Sequence, residues 1–161
     1  MKKIGRTIRR RRREAKTDYK LRFGLLKSEK QRVVVRKTNR YIIGQIVISD
    51  IAQDRVVLSV SSKDLLSYGW PEKLKGSLKS LPACYLTGFL LGKKLEKTRE
   101  GILDIGLQRN IKNSRIYAFV RGLVDSGFSI PHSEESLPDQ KFLEKNELTG
   151  KLINQLKEKI L

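Results

Sequence analysis

Runs of β-branched residues between positions 32 and 61 predict three β-strands. Residues 32–38 are rich in valine and residues 41–48 in isoleucine, and Asn39 and Arg40 between them are expected to form the tight turn of a β-hairpin. A third strand is predicted over residues 55–61, where Val56, Leu58 and Val60 occupy alternate positions. These segments predict an antiparallel meander.

Beyond residue 80 the apolar positions recur at helical spacing. A helix is predicted from about residue 80 to about residue 97, with Ser80 as N-cap and Leu81 and Tyr85 on one line of its surface. Small residues form a neighbouring line, which would let the helix closely approach a sheet or another backbone. They are Cys84, Gly88 and Gly92.

One more strand and one more helix complete the predicted domain. Residues 101–107 form an apolar run short enough for a strand buried on both faces. A core-facing helix with apolar residues at i, i+3, i+4, i+7 and i+8 follows, with Asn113 or Ser114 as cap and Gly127 as stop. The order βββαβα predicts an α+β fold: a mixed sheet, with a helical crossover to a parallel strand and helices packed on the sheet.

Three regions are expected along the chain. Residues 1–28 form a basic arm that contains a short helix over about residues 17–28, capped by Thr17 or Asp18. Residues 29–133 form the βββαβα domain. Residues 134–161 form a linker and an amphipathic helix from about residue 149, which should dock on the protein or on a neighbour.

Positive charge is concentrated at one end of the chain. The formal net charge is +18, and residues 1–40 carry 17 Lys and Arg against three acids, which gives +14. Such a segment repels itself, so an extended arm that binds a polyanion is predicted. Arginine meets phosphate with two hydrogen bonds, and phosphate neutralisation releases counterions, so nucleic acid is favoured over a solvated tail or localisation signal.

A membrane partner is not expected. No apolar run approaches the ~18 residues of a membrane span, and the basic N-terminus leads into no apolar signal segment. An anionic membrane surface is a weaker alternative, because Ile4 and Ile8 are the only large apolar residues before Tyr19. The sequence therefore predicts a soluble cytoplasmic protein.

Candidate catalytic residues are few, and no enzyme activity, cofactor or metal is predicted. Five acids near the predicted element ends are the candidate ligands of a metallonuclease: Asp50, Asp54, Asp64, Asp104 and Asp125. Asp50 and Asp54 flank a turn, where solvated aspartates are common, and Asp104 alone makes no two-metal site. His132 lies in a turn, and Cys84 falls on an apolar helix face as a small buried hydrophobe. Trp70 and Tyr68 either stack on a base or seal the core.

Several motifs in one order resemble a known family. They are Arg-Arg-Arg-Arg-Arg-Glu-Ala-Lys-Thr-Asp-Tyr at residues 9–19, Leu-Leu-Lys-Ser at 25–28, Val-Val-Val-Arg-Lys-Thr-Asn-Arg at 33–40, Tyr-Gly-Trp at 68–70, Tyr-Leu-Thr-Gly at 85–88, Leu-Asp-Ile-Gly-Leu at 103–107 and Ile-Pro-His at 130–132. Together they resemble the eighteenth large-subunit ribosomal protein in its archaeal and eukaryotic form. The link at residues 108–113 departs from the family in lacking glycine and proline.

The resemblance implies a non-catalytic protein of the large ribosomal subunit. Its partners would be 5S rRNA, which it would help anchor in the central protuberance, other large-subunit rRNA, and neighbouring ribosomal proteins. RNA contacts are then expected from the arm and the hairpin, at Arg9, Arg10, Arg11, Arg12, Arg13, Lys16, Tyr19, Arg36, Lys37, Thr38, Asn39 and Arg40. Lys20 and Arg22 extend the same positive charge and complete the predicted set.

Two alternatives stay open from the residues alone. A basic arm also suits an autonomous nucleic-acid-binding protein, such as a chromatin factor or RNA chaperone. At the hairpin tip, Thr38 and Asn39 suit contacts to base or sugar edges and Arg36, Lys37 and Arg40 suit phosphates, but a solvated polar turn explains them equally well.

Overall fold

A four-stranded mixed sheet forms the centre of the molecule. The computed structural model describes residues 7–50, 53–95, 99–139, 143 and 147–160. Its strands are β1 (Arg32–Lys37), β2 (Ile42–Asp50), β3 (Gln53–Ser61) and β4 (Ile102–Asp104). The spatial order is β3-β2-β1-β4, with β2 antiparallel to both neighbours and β4 parallel to β1. The predicted meander and parallel fourth strand are confirmed.

Helices pack on both faces of this sheet. They are α1 (Arg10–Arg13), α2 (Tyr19–Lys27), α3 (Leu81–Lys94), α4 (Arg115–Asp125) and α5 (Glu147–Ile160), with short 3-10 segments at Ser62–Leu66, Glu72–Ser77 and Glu134–Ser136. The α+β class is therefore confirmed. Within the described residues, no helix combines the length and apolar character needed to cross a bilayer.

The strands present an apolar face to α3 and α4 and a more polar face on the other side. Val33 pairs with Ile46, and Val35 pairs with Gly44, against which the Phe119 ring of α4 lies. The alternate positions, Arg32 and Arg36, pair with Val47 and Ile43 and point the other way. Because side chains alternate, one strand supplies both the core and a charged surface.

Close contact between α3 and α4 depends on glycine. A Cβ atom at Gly88 would collide with the Phe119 carbonyl, and one at Gly122 would collide with the Tyr85 carbonyl. The small-residue line predicted from the sequence therefore does permit a close approach, and the backbone that approaches is that of α4.

The C-terminal helix docks on the domain, as predicted. Ile153 and Leu156 of α5 are buried, and Lys157 Nζ lies 4.8 Å from the centre of the Tyr85 ring of α3. Leu137 and Leu143 join the same apolar core. The core thus takes residues from both sides of position 133.

The N-terminal arm was predicted to be extended, but part of it is helical. Arg10–Arg13 form one helical turn, closed where Ala15 adopts a φ of 50° and the N–H groups of Ala15 and Lys16 donate to Arg12 and Arg11 carbonyls. This is a Schellman closure, and cations at a helix C-terminus are favoured by the helix dipole. Local hydrogen bonds therefore offset part of the charge repulsion on which the extended arm was predicted.

The fourth strand differs from its prediction. β4 has three residues rather than seven and pairs with β1 alone, at the edge of the sheet. Ile102 and Leu103 are half-buried and Leu107 is exposed, so the expectation of burial on both faces is wrong. An edge position leaves one side of a strand open.

Helix caps are only partly as expected. Asp18 caps α2, since its carboxylate accepts from the N–H groups of Lys20 and Leu21. Ser80 and Ser114 occupy the N-cap positions of α3 and α4, but neither side chain makes a capping hydrogen bond. α3 ends at Lys94 with Leu95 as its C-cap, and residues 96 and 97 of its predicted range lie outside the described residues.

Candidate nucleic-acid interface

The helical turn of α1 presents its arginines to solvent. Arg10, Arg11, Arg12 and Arg13 are all exposed. Arg11 Nε donates to Thr17 Oγ1 at 2.8 Å, and Arg10 Nε lies 3.8 Å from a Glu14 carboxylate oxygen. Within the part of the chain that the structure describes, the side chains of Arg12 and Arg13 have no ion-pair or hydrogen-bond partner. Two guanidinium groups are thus free to meet an external anion.

The arm also contacts the helix that follows it. The Arg9 guanidinium carbon lies 4.8 Å from the centre of the Tyr19 ring, and Lys16 Nζ lies 2.9 Å from Glu14. A groove of 780 Å³ runs between the arm and α2. Tyr19 is half-buried and Lys20 is exposed on α2. Two contacts, Arg9 on Tyr19 and Arg11 on Thr17, therefore join the arm to the start of α2.

Arg32 is the centre of a charged network on the polar face of the sheet. Its side chain is 3% exposed. Arg32 Nη2 lies 2.7 Å from Asp54 Oδ1 and donates to Ser49 Oγ at 2.9 Å, while Nη1 lies 3.2 Å from Asp104 Oδ2. A guanidinium this deeply buried needs paired acids, and Asp54 and Asp104 supply them.

The electrostatics of Asp54 follow from this network. Burial alone would raise the pKa of Asp54, but hydrogen bonds from Ser49, Arg22 and Arg32, together with the Arg32 charge, outweigh burial and lower the pKa from 3.8 to about 2. Asp54 lies in β3 beside its junction with β2 and is exposed, as expected, but two arginines bind its carboxylate. Asp104 is buried, as expected.

Two of the predicted RNA-binding arginines take part in the same network. Arg22 Nη2 of α2 lies 2.8 Å from Asp54 Oδ2. Arg36 Nη2 lies 2.9 Å from Asp104 Oδ1, and its Nη1 donates to the Asp104 carbonyl at 2.7 Å. Both side chains keep more than a third of their surface open to solvent. Arg22 therefore ties α2 to the sheet, and Arg36 ties β1 to β4.

The hairpin tip is held by a threonine side chain. Thr38 N donates to the Tyr41 carbonyl at 2.8 Å, and Thr38 Oγ1 donates to that carbonyl and accepts from Tyr41 N, each at 2.9 Å. Lys79 Nζ donates to the Asn39 carbonyl at 2.7 Å. The side-chain amide of Asn39 has no hydrogen-bond partner among the described residues. Lys37, Asn39 and Arg40 are exposed. Thr38 therefore shapes the turn, and Asn39 presents a free amide.

A second basic groove was not predicted from the sequence. It has a volume of 570 Å³ and lies between the hairpin and the start of α4, lined in part by Lys37, Arg109, Ser114 and Arg115. Arg109 and Arg115 are isolated in the sequence and belong to no run of charge. Their proximity to Lys37 arises only when the chain folds, so periodicity and charge counts alone could not find this groove.

The acids considered as metal ligands do not converge. Asp64 accepts from the backbone N–H of Ser61, and Asp125 accepts from the Tyr85 hydroxyl at 2.7 Å. Asp54 and Asp104 are both engaged by Arg32. Across residues 7–50, 53–95, 99–139, 143 and 147–160, no group of three or more His, Cys, Asp or Glu side chains is placed to hold a metal ion.

The other candidate side chains have structural surroundings. Cys84 is fully buried, and burial, which outweighs nearby positive charges, raises the pKa of its thiol from 9.0 to about 12. Trp70 is buried, and its Nε1 donates to the Leu74 carbonyl at 3.1 Å, so it seals the core. Lys94 Nζ lies 5.8 Å from the centre of the Tyr68 ring. His132 Nδ1 lies 2.6 Å from the Ile130 carbonyl oxygen.

Comparison with known proteins gives a consistent family match. Residues 5–101 match the family model described as "Ribosomal large subunit proteins 60S L5, and 50S L18". The protein of Methanothrix thermoacetophila called "Large ribosomal subunit protein uL18" is 49% identical over 132 residues, covering 81% of this chain and 76% of the relative. The protein of the same name from Korarchaeum cryptofilum is 47% identical over 157 residues, covering 91% of this chain and 78% of the relative.

Proposed function

Because the chain belongs to the uL18 family of large ribosomal subunit proteins, and is thus a structural constituent of that subunit, we propose that it binds 5S rRNA and helps anchor it in the central protuberance. Other large-subunit rRNA and neighbouring ribosomal proteins are its further partners. The relatives named above are archaeal proteins. The proposed role is structural, without a catalytic step.

The observation that carries this proposal is the exposed arginine turn of α1. Four consecutive arginines on one helical turn project in different directions, since successive residues are separated by about 100°. Such a turn reaches phosphates on more than one strand, which suits folded RNA better than a single extended strand. Arg12 and Arg13, whose side chains have no partner in the described chain, are expected to contribute most.

The hairpin tip is the second part of the proposed interface. Lys37 and Arg40 supply charge, while the free Asn39 amide offers a directed donor and acceptor. We assign affinity mainly to the arm and specificity mainly to the tip. In this proposal residues 1–28 form the RNA-binding arm, residues 29–133 the domain that carries the hairpin, and residues 134–161 a linker and docked helix.

The test of the arm is the salt dependence of 5S rRNA binding. Replacing Arg10 to Arg13 by Ala should weaken binding and reduce the slope of log K against log salt by roughly 0.7 to 0.9 for each phosphate that the variant no longer neutralises. The folded core does not include α1, so thermal unfolding should be unchanged. A slope equal to that of the unaltered protein would refute the role of the arm.

The test of the hairpin is a competition between 5S rRNA and tRNA. Asn39→Ala should weaken 5S rRNA binding more than tRNA binding, because a directed amide contact depends on the RNA it meets. Arg11→Ala should weaken both by similar factors at fixed salt and is the matched control. If Asn39→Ala weakens binding to 5S rRNA and to tRNA equally, the hairpin tip is a solvated turn without a role in specificity.

Co-sedimentation separates the proposal from an autonomous nucleic-acid-binding protein. In moderate salt the chain should travel with large subunits in a sucrose gradient. A chromatin factor would partition with DNA instead, and an RNA chaperone would leave the subunit as salt rises.

A further inference from the structure

Helix α2 has two different apolar faces. Leu21 and Leu25 line a small cavity of 140 Å³ together with Arg36 and Asp104, so this face is directed to the β1–β4 edge of the sheet. Tyr19, Phe23 and Leu26 line the 780 Å³ groove on the side of the arm. Phe23 is 70% exposed, more than any other large apolar side chain of the described residues. Nothing in the described fold uses this ring.

The surroundings of Phe23 are cationic. Arg9 and Arg12 line the same groove, with Arg9 held over the Tyr19 ring at 4.8 Å. On the helix itself, Lys20 and Lys27 lie three residues before and four residues after Phe23, and both are exposed. An exposed aromatic ring is thus surrounded by positive side chains that belong to the arm and to α2.

We propose that Phe23 is a stacking platform for one unpaired base of the bound RNA, whose flanking phosphates are held by Arg9 and Arg12. The proposal rests on the RNA-binding function above and names a site within it. Aromatic rings beside cations are the recurring means of holding unpaired nucleotides, because every base offers a π face and every nucleotide a phosphate. The groove volume lies within the range of small-ligand sites, which is large enough for a nucleotide.

A protein partner fits this surface less well. Lysine is depleted at protein interfaces, whereas Lys20 and Lys27 flank Phe23 on α2, and three arginines line the same groove. An apolar protein segment would have to desolvate these cations without neutralising them. A nucleotide neutralises them with its phosphates while its base covers the ring.

The first experiment measures 5S rRNA affinity and its salt dependence together. Phe23→Ala should weaken binding by roughly five-fold to a hundred-fold with no change in the salt slope, since stacking releases no counterions. Arg12→Ala should instead lower the slope by the amount that one phosphate contributes. Phe23→Leu, which keeps apolar area but removes the π face, should lose nearly as much affinity as Phe23→Ala. Val57→Ala, an exposed apolar position on β3, is the control and should bind normally.

The second experiment places a fluorophore at the site. The chain has one tryptophan, Trp70, which is 4% exposed, so Phe23→Trp adds a solvent-facing reporter against a buried background. Its emission should be quenched by 5S rRNA and by a short single-stranded RNA, and far less by an RNA duplex whose bases are paired. Thermal unfolding of all three Phe23 variants should match that of the parent, because the ring is 70% exposed and contacts little of the core.

The outcomes distinguish this inference from the function on which it rests. If the parent binds 5S rRNA and Phe23→Ala binds equally well, the platform is refuted while the proposed function stands. Full affinity in Phe23→Leu, with weaker binding only in Phe23→Ala, would assign the ring to apolar contact and also refute stacking. If the parent does not bind 5S rRNA but Phe23→Trp is quenched by single-stranded RNA, the platform stands and the 5S assignment fails.

Discussion

Replacement of Asp54 by Asn tests the charged network that mounts α2 on the sheet. The carboxylate is bound by Arg22 and Arg32 and by Ser49 Oγ, and its pKa falls from 3.8 to about 2. A shift of this size corresponds to at most about 2.5 kcal/mol of stability at neutral pH. The Asp54 side chain is 32% exposed, and solvent screening reduces the figure to about 1–2 kcal/mol. Asp54→Asn should therefore lower the free energy of unfolding at pH 7 by about that amount.

The pH dependence of this difference has a definite sign. The pKa is lower in the folded state than in the unfolded state, so the stabilisation is complete above the unfolded value and is lost as pH falls through the folded value. Urea unfolding of both proteins should show a constant gap above about pH 5 that shrinks mainly between pH 4 and pH 2. Asp50→Asn, an exposed acid of β2, is the matched control. A gap that persists unchanged at pH 2, or no gap at pH 7, would refute the ion-pair reasoning.

Three further perturbations address packing. Phe119 is fully buried, so Phe119→Ala should cost about 3–5 kcal/mol in thermal or urea unfolding, whereas deletion of residues 1–16 should cost much less; the opposite order would contradict the core assignment. Gly88→Ala places a Cβ against the Phe119 carbonyl and should destabilise the protein by about 1–3 kcal/mol. The control Gly24→Ala in α2 meets open space and should stabilise the protein by up to about 1 kcal/mol. Equal effects of the two variants in calorimetry would rule out the close contact between α3 and α4. Cys84, with its pKa raised to about 12, should resist alkylation at pH 8 until the protein unfolds, and fast labelling of the native protein would contradict its burial.

The central elements were predictable because each has its own periodic signal. The alternation in residues 55–61 and the i, i+3, i+4 spacing from Ile116 to Val124 specify a strand and a helix without reference to anything distant. The parallel position of β4 also followed, since a helical crossover leads to a parallel strand. The length of β4 could not be predicted from the sequence, because the same apolar run suits a strand paired on one side and a strand paired on both sides.

Contacts between distant residues were the part that the sequence could not supply. Arg22 and Arg36 were placed correctly on α2 and β1, but their acids lie 32 and 68 residues further along the chain. A charge count treats every arginine alike, whereas folding divides them into those bound by Asp54 or Asp104 and those, such as Arg12, left open. The α1 turn was unpredictable for a related reason, because the backbone closure at Ala15 has no glycine to mark it.

The order of residues in the ion-pair network also sets an order of events during synthesis. Arg22, Arg32 and Arg36 all precede Asp54, and Asp104 follows Arg32 by 72 residues. At elongation rates of about 5–20 residues per second, Asp104 is made roughly 4–14 s after Arg32. During that interval the nascent chain displays a segment of net charge +14 before the last of its internal counter-charges exists. Arg32 and Arg36 therefore wait for Asp104 while the rest of the sheet is being made, and completion of residue 104 marks the point at which the polar face can close on itself.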